Sequence, residues 1–171
     1  MKATEHNKVS KTGMRVLFVA VTVLCVILDR VSKNLALRNL PLGTARPFLP
    51  GLLEFLRIEN RGAAFGLLQG QMVFFFLITA LILSGILYVL HRLPAMRRYI
   101  LLVINLAVLT GGAVGNLWDR VSRGSVVDFL SLIPISFPVF NVADIFVTAS
   151  AFGFVLLFCF YYKEDEFTFL H

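Results

Sequence analysis

The chain has 171 residues, of which 58% are hydrophobic and only 15% are charged, and its mean hydropathy is +0.82. A soluble domain contains roughly 45 to 50% apolar residues, so this composition excludes an ordinary soluble protein and indicates a membrane protein. The net charge of +6 requires no nucleic-acid partner, because basic tails beside anionic lipid account for most of it.

Four apolar segments are candidates to cross the bilayer, at residues 16–28, 72–90, 100–115 and 139–162. A crossing helix needs roughly 20 residues, and with their flanks the four segments predict spans at 14–32, 72–90, 98–116 and 139–162. Backbone amides cannot remain unpaired in lipid, so each span should be an α-helix. We therefore predict an all-α membrane protein with four transmembrane helices, forming a single integral membrane domain over residues 1–171.

The first span resembles a signal peptide in having a basic leader and a short apolar core. Asp29, Arg30 and Lys33 follow that core, however, where a small-residue cleavage site should lie. We interpret the segment as a retained helix. Asp29 and Lys33 are four residues apart, which predicts a structural ion pair on one helix face.

Four crossings place both chain termini on the same side of the membrane. The loop at 91–98 carries Arg92, Arg97 and Arg98 without an acidic residue, and the N-terminal tail is also basic. The positive-inside rule therefore predicts that both termini are cytoplasmic. The loops at 33–71 and 117–138 would then lie at the outer face.

The first outer loop contains two features of interest. Residues 52–60 partly alternate between apolar and polar side chains, which predicts a short strand over the membrane surface. The following segment joins Asn60 to a run of small residues that begins at Gly62. This segment is interpreted either as part of a site or as a helix lead-in whose small residues serve packing.

The third span ends in a glycine-rich segment followed by charged residues. Gly111, Gly112 and Gly115 are typical of close helix packing, which we favour over a phosphate-binding role. Asp119 and Arg120 are interpreted mainly as an ion pair with each other. Asp128 has no cation within four positions on either side, which makes it the better catalytic candidate.

The fourth span begins near Asn141 and Asp144, which are three residues apart and share a helix face. The Asn141 amide is expected to donate a hydrogen bond to the Asp144 carboxylate. The alternative is that Asn141 caps the helix and Asp144 completes a capping box.

Ionisable residues at membrane depth are costly and are functional candidates by default. Asp29, Asp119, Asp128 and Asp144 all fall at the outer ends of the spans or in the outer loop between the third and fourth. Two close carboxylates share one proton, so one acts as base and the other as acid, and together they activate water. Composition and topology alone allow several pairings and do not separate a protease from an ion or proton carrier.

The outer face lacks the histidines that other hydrolytic mechanisms require. The three histidines, His6, His91 and His171, lie in the tails or the cytoplasmic loop. A serine–histidine pair or a histidine zinc site is therefore excluded there, and we expect neither metal nor cofactor. In a protease, Asn60 and Asn141 would serve as neutral donors that orient substrate or stabilise a developing oxygen charge.

Five ordered motifs resemble the bacterial lipoprotein signal peptidases, also called signal peptidase II. They are Asp-Arg-Val-Ser-Lys at 29–33, Asn-Arg-Gly-Ala-Ala-Phe at 60–65, Gly-Ala-Val-Gly-Asn-Leu-Trp-Asp-Arg at 112–120, Gly-Ser-Val-Val-Asp-Phe at 124–129 and Phe-Asn-Val-Ala-Asp at 140–144. The motifs run from the first span to the last and cover nearly the whole chain.

The resemblance implies an intramembrane aspartyl endopeptidase at the outer face of the bacterial inner membrane. It would remove the signal peptide of diacylglyceryl-modified prolipoproteins, cutting before the lipidated cysteine, and would carry a small extracytoplasmic β-element. Asp128 and Asp144 match the catalytic pair. The residues matching substrate-binding or supporting positions are Asn60, Gly62, Asn116, Arg120, Asn141, Asp29, Lys33 and Asp119.

The expected partners are the prolipoprotein and membrane lipids, and we expect a monomer. The stretch at 129–143 is short for the family, so we expect its flexible lid to be trimmed or displaced into the first outer loop. Two alternatives remain, a small ion or proton-coupled transporter that uses the same aspartates, and a non-catalytic scaffold.

Overall fold

A computed structural model describes residues 7–62, 67–135 and 137–170 of the chain. The four main helices are α1 (Lys11–Asn39), α2 (Met72–Arg92), α3 (Ile100–Arg123) and α4 (Val142–Leu156), and the strands are β1 (Ala45–Leu49), β2 (Leu53–Asn60) and β3 (Val126–Leu132). A short 3₁₀ turn precedes α3, a π-helical turn extends α4, and a 3₁₀ segment ends the described chain, at Arg97–Tyr99, Leu157–Tyr161 and Glu164–Leu170.

Within the described residues, three helices are long and apolar enough to cross a membrane. They cover Met72–Arg92, Arg97–Arg123 and Val142–Tyr161. Helix α1 has 29 residues and is not among these three. The fold is thus mostly helical with three candidate spans and one small sheet.

Two helices extend further than hydropathy predicts. Helix α1 ends at Asn39 rather than near 32, and α3 ends at Arg123 rather than near 116. Hydropathy marks where apolar side chains stop, whereas a helix continues as long as its polar side chains find partners. Gly124, in the left-handed conformation at φ 74°, ends α3 by donating its N–H to the Arg120 carbonyl.

The three strands form an antiparallel sheet in the order β1-β2-β3. The strand expected at 52–60 is confirmed as β2, which pairs with both neighbours. Strand β3 was not expected, since hydropathy assigned its residues to a loop. The four residues 126–129 are all buried, so the segment lacks the alternation that marks a half-exposed strand.

The tails and the α2–α3 connection meet at one end of the bundle. Val9 N–H donates to the Ala95 carbonyl at 3.0 Å, and Arg97 N–H donates to the Asn7 carbonyl at 2.8 Å. Arg98 Nε lies 2.8 Å from Glu166 Oε2 in the C-terminal segment. The sheet is joined to the opposite ends of α1, α3 and α4.

Glycines of α3 allow α1 and α4 to pack closely against it. A Cβ at Gly115 would lie 2.6 Å from Asp29 Oδ2, and one at Gly112 would lie 2.6 Å from the Ala143 carbonyl oxygen. The packing role expected of these glycines is therefore confirmed. Their close contact brings polar residues of α1, α3 and α4 within hydrogen-bonding distance of each other.

Candidate active site

Asp144 is positioned by the first turn of α4. Asp144 N–H donates to Asn141 Oδ1 at 3.1 Å, and Asn141 N–H donates to Asp144 Oδ2 at 3.0 Å. This reciprocal pair is a capping box, which satisfies two helix-end N–H groups that would otherwise lack partners. The capping geometry is confirmed, and it holds the Asp144 carboxylate beside the helix N-terminus.

The spacing predicted that the Asn141 side-chain amide donates to Asp144. It donates instead to Asp128 on β3. Asn141 Nδ2 lies 2.6 Å from Asp128 Oδ1. The spacing argument was wrong on this bond because the capping geometry turns the side-chain oxygen, not the amide nitrogen, toward the helix. Asn141 therefore contacts both candidate carboxylates, one through its backbone and one through its side chain.

Asp128 receives a second amide from the neighbouring strand. Asn60 Nδ2 donates to Asp128 Oδ2 at 2.9 Å, while Asn60 Oδ1 accepts the Gly62 N–H at 2.9 Å. Asn60 ends β2 and pairs with Val126 of β3. The antiparallel pairing thus places an asparagine and an aspartate from distant parts of the chain against each other.

Asp128 is only 2% exposed. Burial raises the pKa of Asp128 from its ordinary value of 3.8 to about 6, and the nearby Asp144 carboxylate raises it in the same direction. The hydrogen bonds from Asn60 and Asn141 oppose this shift by stabilising the charged form. Asp128 therefore retains a proton to a higher pH than an ordinary aspartate.

Asn116, on α3, links the two carboxylates to a buried lysine. Its Nδ2 donates to Asp144 Oδ1 at 2.8 Å, and its Oδ1 accepts from Lys33 Nζ at 2.8 Å and from Asn141 Nδ2 at 3.1 Å. Every polar atom of this amide is engaged. Asn116 is thus held in one orientation between the lysine and Asp144.

Lys33 lies in a buried ion cluster, defined here as Asp29, Arg30, Lys33 and Asp119. Lys33 Nζ lies 2.9 Å from Asp29 Oδ2 and 3.1 Å from Asp119 Oδ2, and Arg30 pairs with Asp119. The expected Asp29–Lys33 pair is confirmed. The expected pairing of Asp119 with Arg120 was wrong, because the cations of α1 reach Asp119 across the helix interface.

The ion cluster also holds the backbone beside each candidate carboxylate. Asp29 Oδ1 accepts the N–H of Ala143 at 3.0 Å, and Asp119 Oδ2 accepts the N–H of Val127 at 3.3 Å. Ala143 precedes Asp144 in the chain, and Val127 precedes Asp128. The cluster therefore positions both segments that present the carboxylates, although Asp29 and Asp119 themselves do not line the cavity described next.

A cavity of about 290 Å³ opens in front of the two carboxylates. Its lining includes the predicted site residues Asn60, Gly62, Asn116, Arg120, Asp128 and Asp144. Asn141 lies behind the cavity, where it joins the two carboxylates. The first outer loop, to which the lid was expected to move, includes residues 63–66, which lie outside the described residues.

The cavity also has aromatic walls, for which the sequence predicted no role. The Arg120 guanidinium lies 4.3 Å from the ring centroid of Phe75, a cation–π contact, and donates to the Gly62 carbonyl at 3.3 Å. Phe75 lies in an apolar run of α2, so no local pattern distinguishes it from lipid-facing neighbours. Phe137 and Phe140 form another part of the lining.

The arrangement offers acid–base chemistry at an uncharged bond. Asp128 retains its proton to a higher pH than an ordinary aspartate, so it can donate to a carbonyl oxygen while a neighbouring carboxylate takes a proton from water. The three neutral amides of Asn60, Asn116 and Asn141 donate hydrogen bonds to the pair, and the charged Arg120 lines the same cavity.

Comparison with known proteins identifies relatives over most of the chain. The family model for signal peptidase (SPase) II matches residues 21–160. A lipoprotein signal peptidase of Enterococcus faecalis is 39% identical over 133 residues, covering 78% of this chain and 81% of that protein. Another, of Streptococcus pneumoniae, is 38% identical over 148 residues, covering 86% and 94%. A solved bacterial membrane enzyme superposes with a TM-score of 0.73 at 30% identity, covering 88% of this chain and 95% of that one.

Proposed function

The chain belongs to the signal peptidase II family, and from that premise we propose that Asp128 and Asp144 are the catalytic pair with which this aspartic peptidase processes lipoprotein precursors. The observation that carries the assignment is the position of Asn141, whose backbone binds Asp144 and whose amide binds Asp128. No other pair of the four aspartates lines the catalytic cavity.

The surroundings of the two carboxylates indicate which one is the acid and which one is the base. Asp144 accepts hydrogen bonds from Asn116 and from the Asn141 backbone, and it lies at the positive end of α4, a position that suits a proton acceptor. Burial keeps the proton on Asp128 up to a pH of about 6, its raised pKa. Asp144 is therefore the base and Asp128 the acid.

In the proposed reaction, Asp144 takes a proton from a water molecule, and the water oxygen attacks the scissile carbonyl carbon. Asp128 donates its proton to the carbonyl oxygen, giving a neutral tetrahedral diol. The diol then collapses as its carbon–nitrogen bond breaks, with a proton passing from Asp144 to the leaving amine and a hydroxyl proton of the diol returning to Asp128. The products are a signal peptide with a new carboxyl group and a mature chain with a free amino terminus.

The substrate is proposed to be a diacylglyceryl-modified prolipoprotein, cut before its lipidated cysteine. The cavity combines a polar floor with aromatic walls from Phe75, Phe137 and Phe140, which suits a polypeptide entering from the membrane beside its lipid chains. Membrane lipids surround the protein, and the working unit is a monomer.

The proposed topology has four crossings, with α1 as the fourth membrane-spanning helix. Apolar side chains of α1 such as Val16, Val23 and Ile27 are about half exposed, which in a membrane protein is typical of contact with lipid. The basic loop between α2 and α3 lies at the same end as both tails. We therefore place both termini in the cytoplasm and the catalytic cavity toward the outer face of the cell membrane.

A cleavage assay tests the function directly. Purified protein in detergent is mixed with a synthetic precursor peptide carrying a diacylglyceryl-cysteine, and the products are identified by mass spectrometry. We expect one cut, on the N-terminal side of the lipidated cysteine. A precursor that remains whole, with proton uptake in proteoliposomes instead, would show that the aspartates belong to a transporter.

A further inference from the structure

Three arginines line a second cavity beside the catalytic one. This cavity has a volume of about 320 Å³ and is lined by Arg61, Arg120 and Arg123, together with residues at the start of α2. Asn60, Phe75 and Arg120 line both cavities. The two spaces therefore share a wall, and we call the second one the arginine cavity.

Positive charge at Arg61 and Arg123 is only weakly balanced by the protein, whereas Arg120 also interacts electrostatically with Asp144, Asp128 and Asp119 from beyond 4 Å. Arg123 lies 3.9 Å from Glu59, a carboxylate that also lies 4.0 Å from Arg57. Arg120 donates to the backbone carbonyls of Gly62 and Asn116. Within residues 7–62, 67–135 and 137–170, Arg120 has no carboxylate within 4 Å and the Arg61 side chain has no partner.

Cations that converge on one space repel each other, and a bound anion relieves that repulsion. Guanidinium groups are suited to this role because their planar fork binds a carboxylate through two hydrogen bonds. Arg61 and Arg123 are exposed, so an incoming ligand can reach them. Arg120, by contrast, is held by Phe75 and the two carbonyls.

We propose that Arg61 and Arg123 bind the carboxylate of an acidic residue in the mature part of the substrate, two or three residues after the lipidated cysteine. This proposal rests on the proposed function. An extended peptide advances roughly 3.3 Å per residue, so a chain cut in the catalytic cavity places those residues in the neighbouring space. The signal sequence is apolar and stays in the bilayer, which leaves the mature segment to meet the arginines.

A substrate polypeptide fits this position better than a lipid headgroup. The arginine cavity shares Asn60 and Phe75 with the catalytic cavity, so its occupant is continuous with a chain bound at Asp128 and Asp144. A phospholipid there would compete with the substrate for the same shared wall. The acidic residue thus acts as a specificity determinant.

The test uses synthetic diacylglyceryl-cysteine precursors that differ only at the second or third residue after the cysteine, which is Asp, Asn or Lys. The ratio of kcat/KM between the Asp and Asn peptides is measured in neutral detergent at low salt. We expect a ratio of roughly three to five at one of the positions, as for a partly exposed ion pair. The Lys peptide should be cleaved more slowly than the Asn peptide.

Substitutions of Arg61 and Arg123 test whether the arginine cavity causes the preference for the Asp peptide. We expect the preference for Asp to vanish in the Arg61→Gln, Arg123→Gln double variant and to reverse in favour of Lys in Arg61→Glu, Arg123→Glu. The matched control is Arg46→Gln, an exposed arginine of β1 that lines neither cavity, and it should keep the native ratio.

Three results would overturn the proposal. They are equal cleavage of the Asp and Asn peptides by the native enzyme, a preference that survives the double variant, and a rate that depends on added phosphatidylglycerol rather than on the peptide. Cleavage of the Asn peptide by the native enzyme supports the proposed function whatever the ratio, so the two hypotheses fail separately. If no peptide is cleaved, both are wrong.

Discussion

The Nδ2 atom of Asn141 lies 2.6 Å from Oδ1 of Asp128. The backbone N–H of the same asparagine donates to Asp144 in a capping box. Capping and site formation, the two alternative interpretations of the Asn141 and Asp144 pattern, are therefore parts of one arrangement. The helix cap fixes Asn141, and the fixed asparagine holds Asp128 next to the start of α4.

We expect Asp128→Asn and Asp144→Asn each to lower the cleavage rate at least about 100-fold, because each removes one member of the acid–base pair. Both substitutions keep the side-chain shape, so the protein should still insert and fold. The rate is measured with the lipidated precursor, and folding is followed by circular dichroism and thermal unfolding. The control is Asp165→Asn, an exposed carboxylate in the C-terminal segment. Near-normal turnover by either site variant would refute the pairing.

The cleavage rate should fall as the pH rises above about 6. The pKa of Asp128 is raised to about 6, so above that pH the pair loses the proton that its acid must donate. A kcat profile between pH 4 and 9 measures this decline. A rate that stays flat from pH 5 to 8 would contradict the proposed acid role of Asp128.

The same pKa shift predicts how stability changes with pH. Because the folded-state pKa of Asp128 lies above its ordinary value of 3.8, the folded protein binds more protons than the unfolded chain between the two values. The contribution of this group to stability is present below about pH 4 and is lost as the pH rises through 6. Thermal unfolding should therefore show Asp128→Asn gaining stability relative to the native protein between pH 4 and pH 7.

Substitutions of Asn141 should separate its two contacts. Asn141→Ala loses the cap, which costs about 0.5 to 2 kcal/mol, whereas serine in Asn141→Ser still caps the helix. Both lose the amide that binds Asp128, so both should cut the rate about tenfold or more. The comparison measures unfolding and kcat/KM together. Ser10→Ala removes the cap of α1 at the far end and should leave cleavage unchanged, whereas a fully active Asn141→Ser would mean that the amide is dispensable.

The ion cluster should matter mainly for stability. Lys33→Met removes the cation that Asp29 and Asp119 share, and breaking such a buried pair typically costs about 3 to 5 kcal/mol. Asp119→Asn should lower the unfolding temperature more than the turnover of the molecules that remain folded. Lys163→Met, at an exposed position, serves as the control and should change stability by less than about 0.5 kcal/mol. Complete loss of turnover in a fully folded Asp119→Asn would instead place Asp119 in the catalytic pair.

Several local features could be predicted from the sequence because their causes lie within a few residues. Apolar run length predicted the positions of α2, α3 and α4, and an i, i+4 spacing predicted the Asp29–Lys33 pair. The capping box joins residues only three apart. Partial alternation was enough to predict β2, whereas the start of β3, Val-Val-Asp-Phe, does not alternate and carried no such signal.

The amino-acid sequence by itself determined the class of protein, the chemical identity of the candidate pair and the family, since hydropathy and motifs need no coordinates. Only the tertiary structure decided which groups meet. Asp119 pairs with α1 rather than with Arg120 beside it, and Asp29 accepts the N–H of Ala143, 114 positions away. Such contacts depend on how closely α1, α3 and α4 pack at their glycines, and a one-dimensional pattern contains no information on that separation.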